Sequence, residues 1–187
     1  ARDAAIGADM FPIMMEYFVA SSEKPPLAAC LKKVSEADVL VVIVAHRYGW
    51  VPPDQDDGQL KSITWLECER AVAEGKEVLA FLVDENHAWP DHMTEAYRLT
   101  AAMQNGMANE ELFREVNRSV ASLKQFKAWL DGRGMRSKFT SKEDLRRCVS
   151  DALHDWRHRP TGLPNRVADA ATKPLIPTEY IQWLRDR

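Results

Sequence analysis

DVLVVIVA, residues Asp38–Ala45, and EVLAFLV, residues Glu77–Val83, decide the fold. Each is a near-continuous aliphatic run with almost no polar alternation. A strand with one wet face alternates, whereas a strand covered on both faces does not, and the second pattern marks the parallel strands of α/β sheets. Between the two runs lies SITWLECERAVAEGK, Ser62–Lys76, which reads as a helix closed by Gly75. The connection YGWVPPDQDDGQLKS carries Gly49, Pro52, Pro53 and Gly58 and reads as a loop. Strand, helix and strand in this order require a parallel pair with a crossover helix.

Working outward, PPLAACLKKVSEA places Leu27, Cys30, Leu31 and Val34 at helical spacing behind Pro25 and Pro26. Before it, MFPIMMEYF (Met10–Phe18) reads as a strand. Downstream, HMTEAYRLTAAMQ and NEELFREVNRSVASLKQFKAWLDG are amphipathic helical segments, and RSKFT is a short strand. TSKEDLRRCVSDALHDWRHR is a helix opened by Thr140 and Glu143 in capping-box spacing. The alternation predicts a doubly wound parallel α/β sheet with extra C-terminal helices. Residues 1–159 form the α/β domain, and 160–187 form a Pro-punctuated linker running into the start of a further helix. The chain begins without Met, and both of its ends read as cut from a larger protein.

A chain of 187 residues, 45% hydrophobic and 28% charged, has the composition of one ordinary globular domain with an appendage. Its net charge of −3 supplies no basic field, so neither nucleic acid nor an anionic membrane is an expected partner. The apolar run Val39–Ala45 is far below the roughly 20 residues that span a bilayer. No signal peptide is visible at the start. Cys30, Cys68 and Cys148 are widely spaced with no C-x-x-C, which favours reduced thiols, a cytoplasmic location and no metal site. G-x-G-x-x-G and G-x-x-x-x-G-K-[ST] are both absent, so neither phosphate-binding device is available.

In parallel sheets ligands bind beyond the carboxyl ends of the strands. That rule puts the Arg47-Tyr48-Gly49 turn and the start of the next helix on the functional edge. Glu67 has two readings there. With Thr64 as N-cap it completes a T-x-x-E capping box; as an ionised carboxylate at a helix start it could accept hydrogen bonds from a ribose or stabilise a cationic sugar transition state. A helical wheel at about 100° per residue offers Glu69 as the rival, because it falls between Trp65 and Ala73 on an otherwise apolar side. On the same wheel Glu67, Arg70 and Glu74 share a polar face. Arg47 reads as a phosphate-binding guanidinium or a surface arginine, and Tyr48 as a ring that stacks on a base or one that covers the strand end. Glu16 is a second carboxylate for the same edge, or an arginine-paired strand-end residue. His46 reads as structural, and Asp54, Asp56 and Asp57 as a solvated loop.

PIMMEYF…CLKKVSEADVLVVIVAHRYGWVP…SITWLECERAVAEGKEVLAFLVDE resembles a TIR-like domain of unknown function found at the N-terminus of NACHT- and STAND-type ATPases. The residues carrying the resemblance are Met15-Glu16-Tyr17-Phe18, Cys30, Asp38, Arg47-Tyr48-Gly49, Ser62-x-Thr64-x-x-Glu67, and Ala71 with Lys76. KFTSKEDLRRCVSDAL is similar to the family's closing strand and helix. The resemblance implies a flavodoxin-like strand order, 2-1-3-4-5, whose first strand is expected to be missing here, with only the end of the following helix retained at Arg2, Ala4 and Ala5. In the wider superfamily of TIR domains and nucleoside deoxyribosyltransferases the catalytic glutamate sits in an E-x-x-x-A context, which Glu67–Ala71 matches. The implied function is an effector or signalling head that cleaves the N-glycosidic bond of NAD, as substrate and not cofactor, when it self-associates. Glu67 would be catalytic, with Arg47 on phosphate and Tyr48 on the base. PLIPTEYIQWLRDR resembles the connector to a downstream ATPase module in the same chain. The alternative is a non-enzymatic module for self-association or partner binding.

Overall fold

The computed structural model describes residues 1–14, 26–53, 55, 60–133 and 136–159. Helices α1 (Arg2–Gly7) and α2 (Pro26–Glu36) precede strand β1 (Val39–Val44). Helix α3 (Ile63–Ala73) leads to β2 (Glu77–Val83), and a 3-10 turn at Asp91–Met93 leads to α4 (Tyr97–Gln104) and α5 (Glu110–Asp131). Strand β3 (Arg136–Phe139) and helix α6 (Lys142–His158) close the domain. The three strands lie in the order β1-β2-β3, all parallel. Val39 pairs with Glu77 and Val44 with Leu82, while Ala80 pairs with Arg136 and Val83 with Phe139.

The lack of alternation in β2 has its cause in two cores. Ala80 and Leu82, with Val42 and Val44 of β1, face α3 and α5, where Trp65, Cys68, Leu123, Phe126 and Leu130 pack. Leu79, Phe81 and Val83 face α1 and α6, where Ala4, Ala8, Val149, Leu153 and Trp156 pack. Helices on both faces make this the expected α/β sheet, consistent with a flavodoxin-like arrangement. The first core is centred on Trp65, whose indole stacks on Phe126 with centroids 5.2 Å apart. Among the described residues no helix is long and apolar enough to cross a membrane.

Two expected helix starts move, and one expected strand does not form where it can be checked. Helix α3 is capped by Ser62, not Thr64: the Ser62 side chain accepts from Trp65 N–H, and Leu66 N–H closes the first turn on Ser62 C=O. Ser62 is held in extended conformation because its own N–H is donated to the Tyr48 hydroxyl, 3.0 Å away. Helix α6 is capped by Ser141, one residue after Thr140. There the Asp144 carboxylate accepts from the Thr140 N–H at 3.0 Å, keeping Thr140 outside the helix at the end of β3. Of the strand expected at Met10–Phe18, residues 10–14 have no regular structure, and the remainder lies outside the described residues, as does the 160–187 linker.

The C-terminus of α3 fixes its neighbour. Gly75 turns at φ +70°, a left-handed conformation that a Cβ would strain, and the Gly75 and Lys76 N–H groups return to Val72 C=O and Ala71 C=O at 3.0 and 2.8 Å. The turn aims the Lys76 ammonium at the end of α2. There it donates to the carbonyls of Val34 and Ala37, both at 2.8 Å, and of Ser35. These include terminal carbonyls that the helix itself leaves unpaired. Lys76→Met, similar in length but without donors, is expected to destabilise the domain by about 1–3 kcal/mol. Urea unfolding measures it, and an unchanged midpoint would refute the capping role.

Candidate functional site

β1 ends in the turn that carries Arg47 and Tyr48, and this turn is held from two sides. The segment after the 3-10 turn clamps it from above: Glu95 N–H donates to His46 C=O at 3.0 Å, and the Glu95 carboxylate accepts from Tyr48 N–H at 3.3 Å. Glu95 is 5% exposed and pairs with Arg98 at 2.7 Å, so its charge is compensated. The Arg47 guanidinium donates to Met93 C=O and His92 C=O at 3.4 and 3.1 Å through Nε and Nη2. From below, the Tyr48 hydroxyl donates to Leu60 C=O and accepts from Ser62 N–H, both at 3.0 Å. Tyr48 is 4% exposed and meets Trp65 edge-on, so it is a core residue with no open face for a ligand base. Arg47 is exposed. Glu16 lies outside the described residues, as do Asp54, Asp56 and Asp57.

Glu67 does not cap its helix. With Ser62 as the cap, it stands a turn further in, on the face turned to α2. The polar face read from the helical wheel is therefore a seam between helices. Arg70 and Glu74 on the same stripe bond to each other at 2.6 Å and both reach Ser35 of α2, at 3.2 and 2.6 Å. Glu67 meets Cys30, which is 1% exposed. Burial raises the Glu67 carboxyl above its ordinary value, and the hydrogen bond from Cys30 only partly offsets this. The Cys30 thiol is pushed up to about 11 by burial, the Glu67 charge and their shared hydrogen bond, so it is protonated and donating. Among the described residues no ion pair reaches Glu67. Glu69, the rival, is paired: Lys61 Nζ lies 2.7 Å from its carboxylate and also sits over the Trp65 ring. The charge that looked misplaced on the wheel is thus neutralised.

A second feature occupies the opposite side of the same strand end. Ile43 and Ala45 alternate with Val42 and Val44, so they point away from the α3–α5 core. Together with His46, Arg47 and Trp89 they line an open cleft of about 510 Å³, whose far wall is the 3-10 turn with His92 and Met93. The rings of His46 and Trp89 are 5.3 Å apart. Trp89 is fixed by its Nε1–H donated to Asp84 C=O at 3.0 Å and by edge contact with Phe139. Burial, aided by Lys127, lowers the pKa of His46 and holds it neutral at neutral pH, with Glu85 pulling weakly the other way.

Sequence reading misses Glu95 and Trp89, since neither stands in a motif and each acquires its role only from a strand end distant in the chain. The metal reading also passes over His154 and His158, whose i, i+4 spacing on α6 is visible in the sequence. Their rings stack with centroids 6.1 Å apart. No group of three or more potential metal ligands occurs among the described residues.

The model of the family described as Domain of unknown function (DUF4062) matches residues 1–154, and the chain belongs to that family. No curated protein and no solved structure matches it.

The raised carboxyl of Glu67 has a stability consequence of definite sign. Below the ordinary value near 4.5 the group is protonated whether the chain is folded or unfolded. As pH rises through the higher folded value, ionisation in the seam costs stability. Glu67→Gln is therefore expected to raise the urea midpoint at pH 7, with the gain shrinking toward pH 4. An equal effect at both pH values would show that Glu67 is not held above its ordinary range.

Proposed function

We propose that this DUF4062 domain is the effector head of a STAND-type protein and cleaves the N-glycosidic bond of NAD or a related nucleotide when its parent chain oligomerises. The observation that carries this reading is Glu67: a half-buried carboxylate with no cationic partner among the described residues, on the helix that follows the C-terminal edge of β1. It stands in the Glu67-x-x-x-Ala71 context of the TIR and deoxyribosyltransferase superfamily. Glutamates that serve only solubility or helix stability are paired or exposed, as Glu69 and Glu74 are. A carboxylate kept from solvent and from counter-ions acts strongly on a positive charge developing beside it.

In the reaction the bond between ribose C1′ and the pyridinium nitrogen breaks. Its electron pair goes to nitrogen and neutralises the leaving nicotinamide. Positive charge develops on the ribosyl carbon and ring oxygen, where the Glu67 carboxylate stabilises it, and a water oxygen then adds to C1′ with loss of a proton. The leaving group is already cationic in the substrate, so no general acid is required at that nitrogen.

A second reading, a binding module without catalysis, is favoured by the two other residues expected to hold substrate. Tyr48 is buried in the core, and Arg47 spends two of its nitrogens on main-chain carbonyls. The two readings separate in one assay. The full-length parent protein, shown by light scattering to be oligomeric, is incubated with NAD and nicotinamide release is followed by chromatography. Release that falls at least about a hundred-fold in Glu67→Gln is the expected outcome. An oligomeric wild type that releases nothing leaves the domain as a binding module.

A further inference from the structure

The cleft beside β1 has a chemistry of its own, separate from the seam that holds Glu67. Its residues are on the other face of the sheet, and its lining is mostly apolar. Ile43 and Met93 are 40% and 42% exposed, large apolar surfaces that remain uncovered inside one concavity. Trp89 supplies an aromatic wall anchored at its Nε1, with the His46 ring beside it. Arg47 is the one permanent charge among the described residues that line it. Two of its nitrogens are tied to the 92–93 carbonyls, which fixes the guanidinium plane and leaves Nη1 without a partner among the described residues. Among the described residues no carboxylate lines the cleft to neutralise that charge. A volume of about 510 Å³ falls within the range of small-molecule sites.

We propose that this cleft binds a small planar aromatic monoanion, with its ring against Trp89 and over Ile43 and Met93 and its carboxylate on the guanidinium of Arg47. An apolar concavity with a single fixed cation selects for one negative charge on an apolar body. A polyanion such as a triphosphate would leave most of its charge unmatched against apolar walls. A flat ring is selected because indole and imidazole rings form the wall, and ring-on-ring contact adds to simple burial. The guanidinium supplies charge-assisted hydrogen bonds in a fixed orientation.

The test is isothermal titration of the full chain with benzoate, with benzamide as the neutral counterpart and cyclohexanecarboxylate as the non-aromatic one. Benzoate is expected to bind more tightly than either, by a factor on the order of ten. Arg47→Gln should weaken benzoate by a similar factor and leave benzamide unchanged. Because Arg47 also braces the 3-10 turn, Ile43→Glu serves as a second variant. It alters an exposed side chain on the cleft floor and places a like charge beneath the ligand, so benzoate binding should be lost with the unfolding midpoint retained. The proposal is overturned by absence of saturable benzoate binding, by equal binding of the three compounds, or by benzoate binding that survives Ile43→Glu.

Discussion

The Lys76 ammonium holds the functional half of this domain together. One charged group joins three elements: it immediately precedes β2, it follows the turn that ends α3, and it caps the C-terminus of α2. A lysine only 16% exposed tolerates that position because carbonyl oxygens and Glu74, at 3.2 Å, surround it. The geometry requires a left-handed residue at position 75, since the Lys76 N–H must return to Ala71 C=O before its side chain can turn to α2. With α2 fixed in this way, Cys30 lies against Glu67, and the carboxylate is held in a seam instead of in water.

The same logic accounts for the residues that carry the family resemblance. Arg47, Tyr48 and Ser62 make bonds that tie the end of β1 to the 3-10 turn and to the start of α3. Ala71 is fully buried where α3 packs on the sheet, and its carbonyl receives the turn before Lys76. A motif at a strand edge can thus be mostly scaffold. Within it, Glu67 accepts from the Cys30 thiol and has no ion pair among the described residues, and this distinguishes it from Glu69 and Glu74.

Both proposed sites depend on the parallel sheet. Alternation along one strand sends Val42 and Val44 to the α3–α5 core and Ile43 and Ala45 to the cleft. The strand end therefore serves two faces, one closed by the aliphatic and aromatic core and the other open to the cleft that carries the Arg47 guanidinium. The difference follows from a period of two, since neighbouring residues on a strand see different environments.

The sequence by itself determined the α/β class, both buried strands, the helix closed by Gly75, and Glu67 as a residue of interest. Each of these rests on local information: hydrophobic periodicity, a glycine needed for positive φ, and a spacing of a few residues. What the sequence left open concerned partners distant along the chain. That Ser62 and not Thr64 caps α3 depended on the Tyr48 hydroxyl. Whether Glu67 or Glu69 was the paired charge depended on Lys61 and Cys30. The polar stripe of α3 read only as a polar face until α2 was packed against it. Of the two readings of Tyr48, a ring for a ligand or a cover for the strand end, its bonds to Leu60 and Ser62 favour the second. Tertiary structure decided these points because burial and charge pairing belong to the neighbours a residue meets in space, and periodicity gives only the direction in which it points.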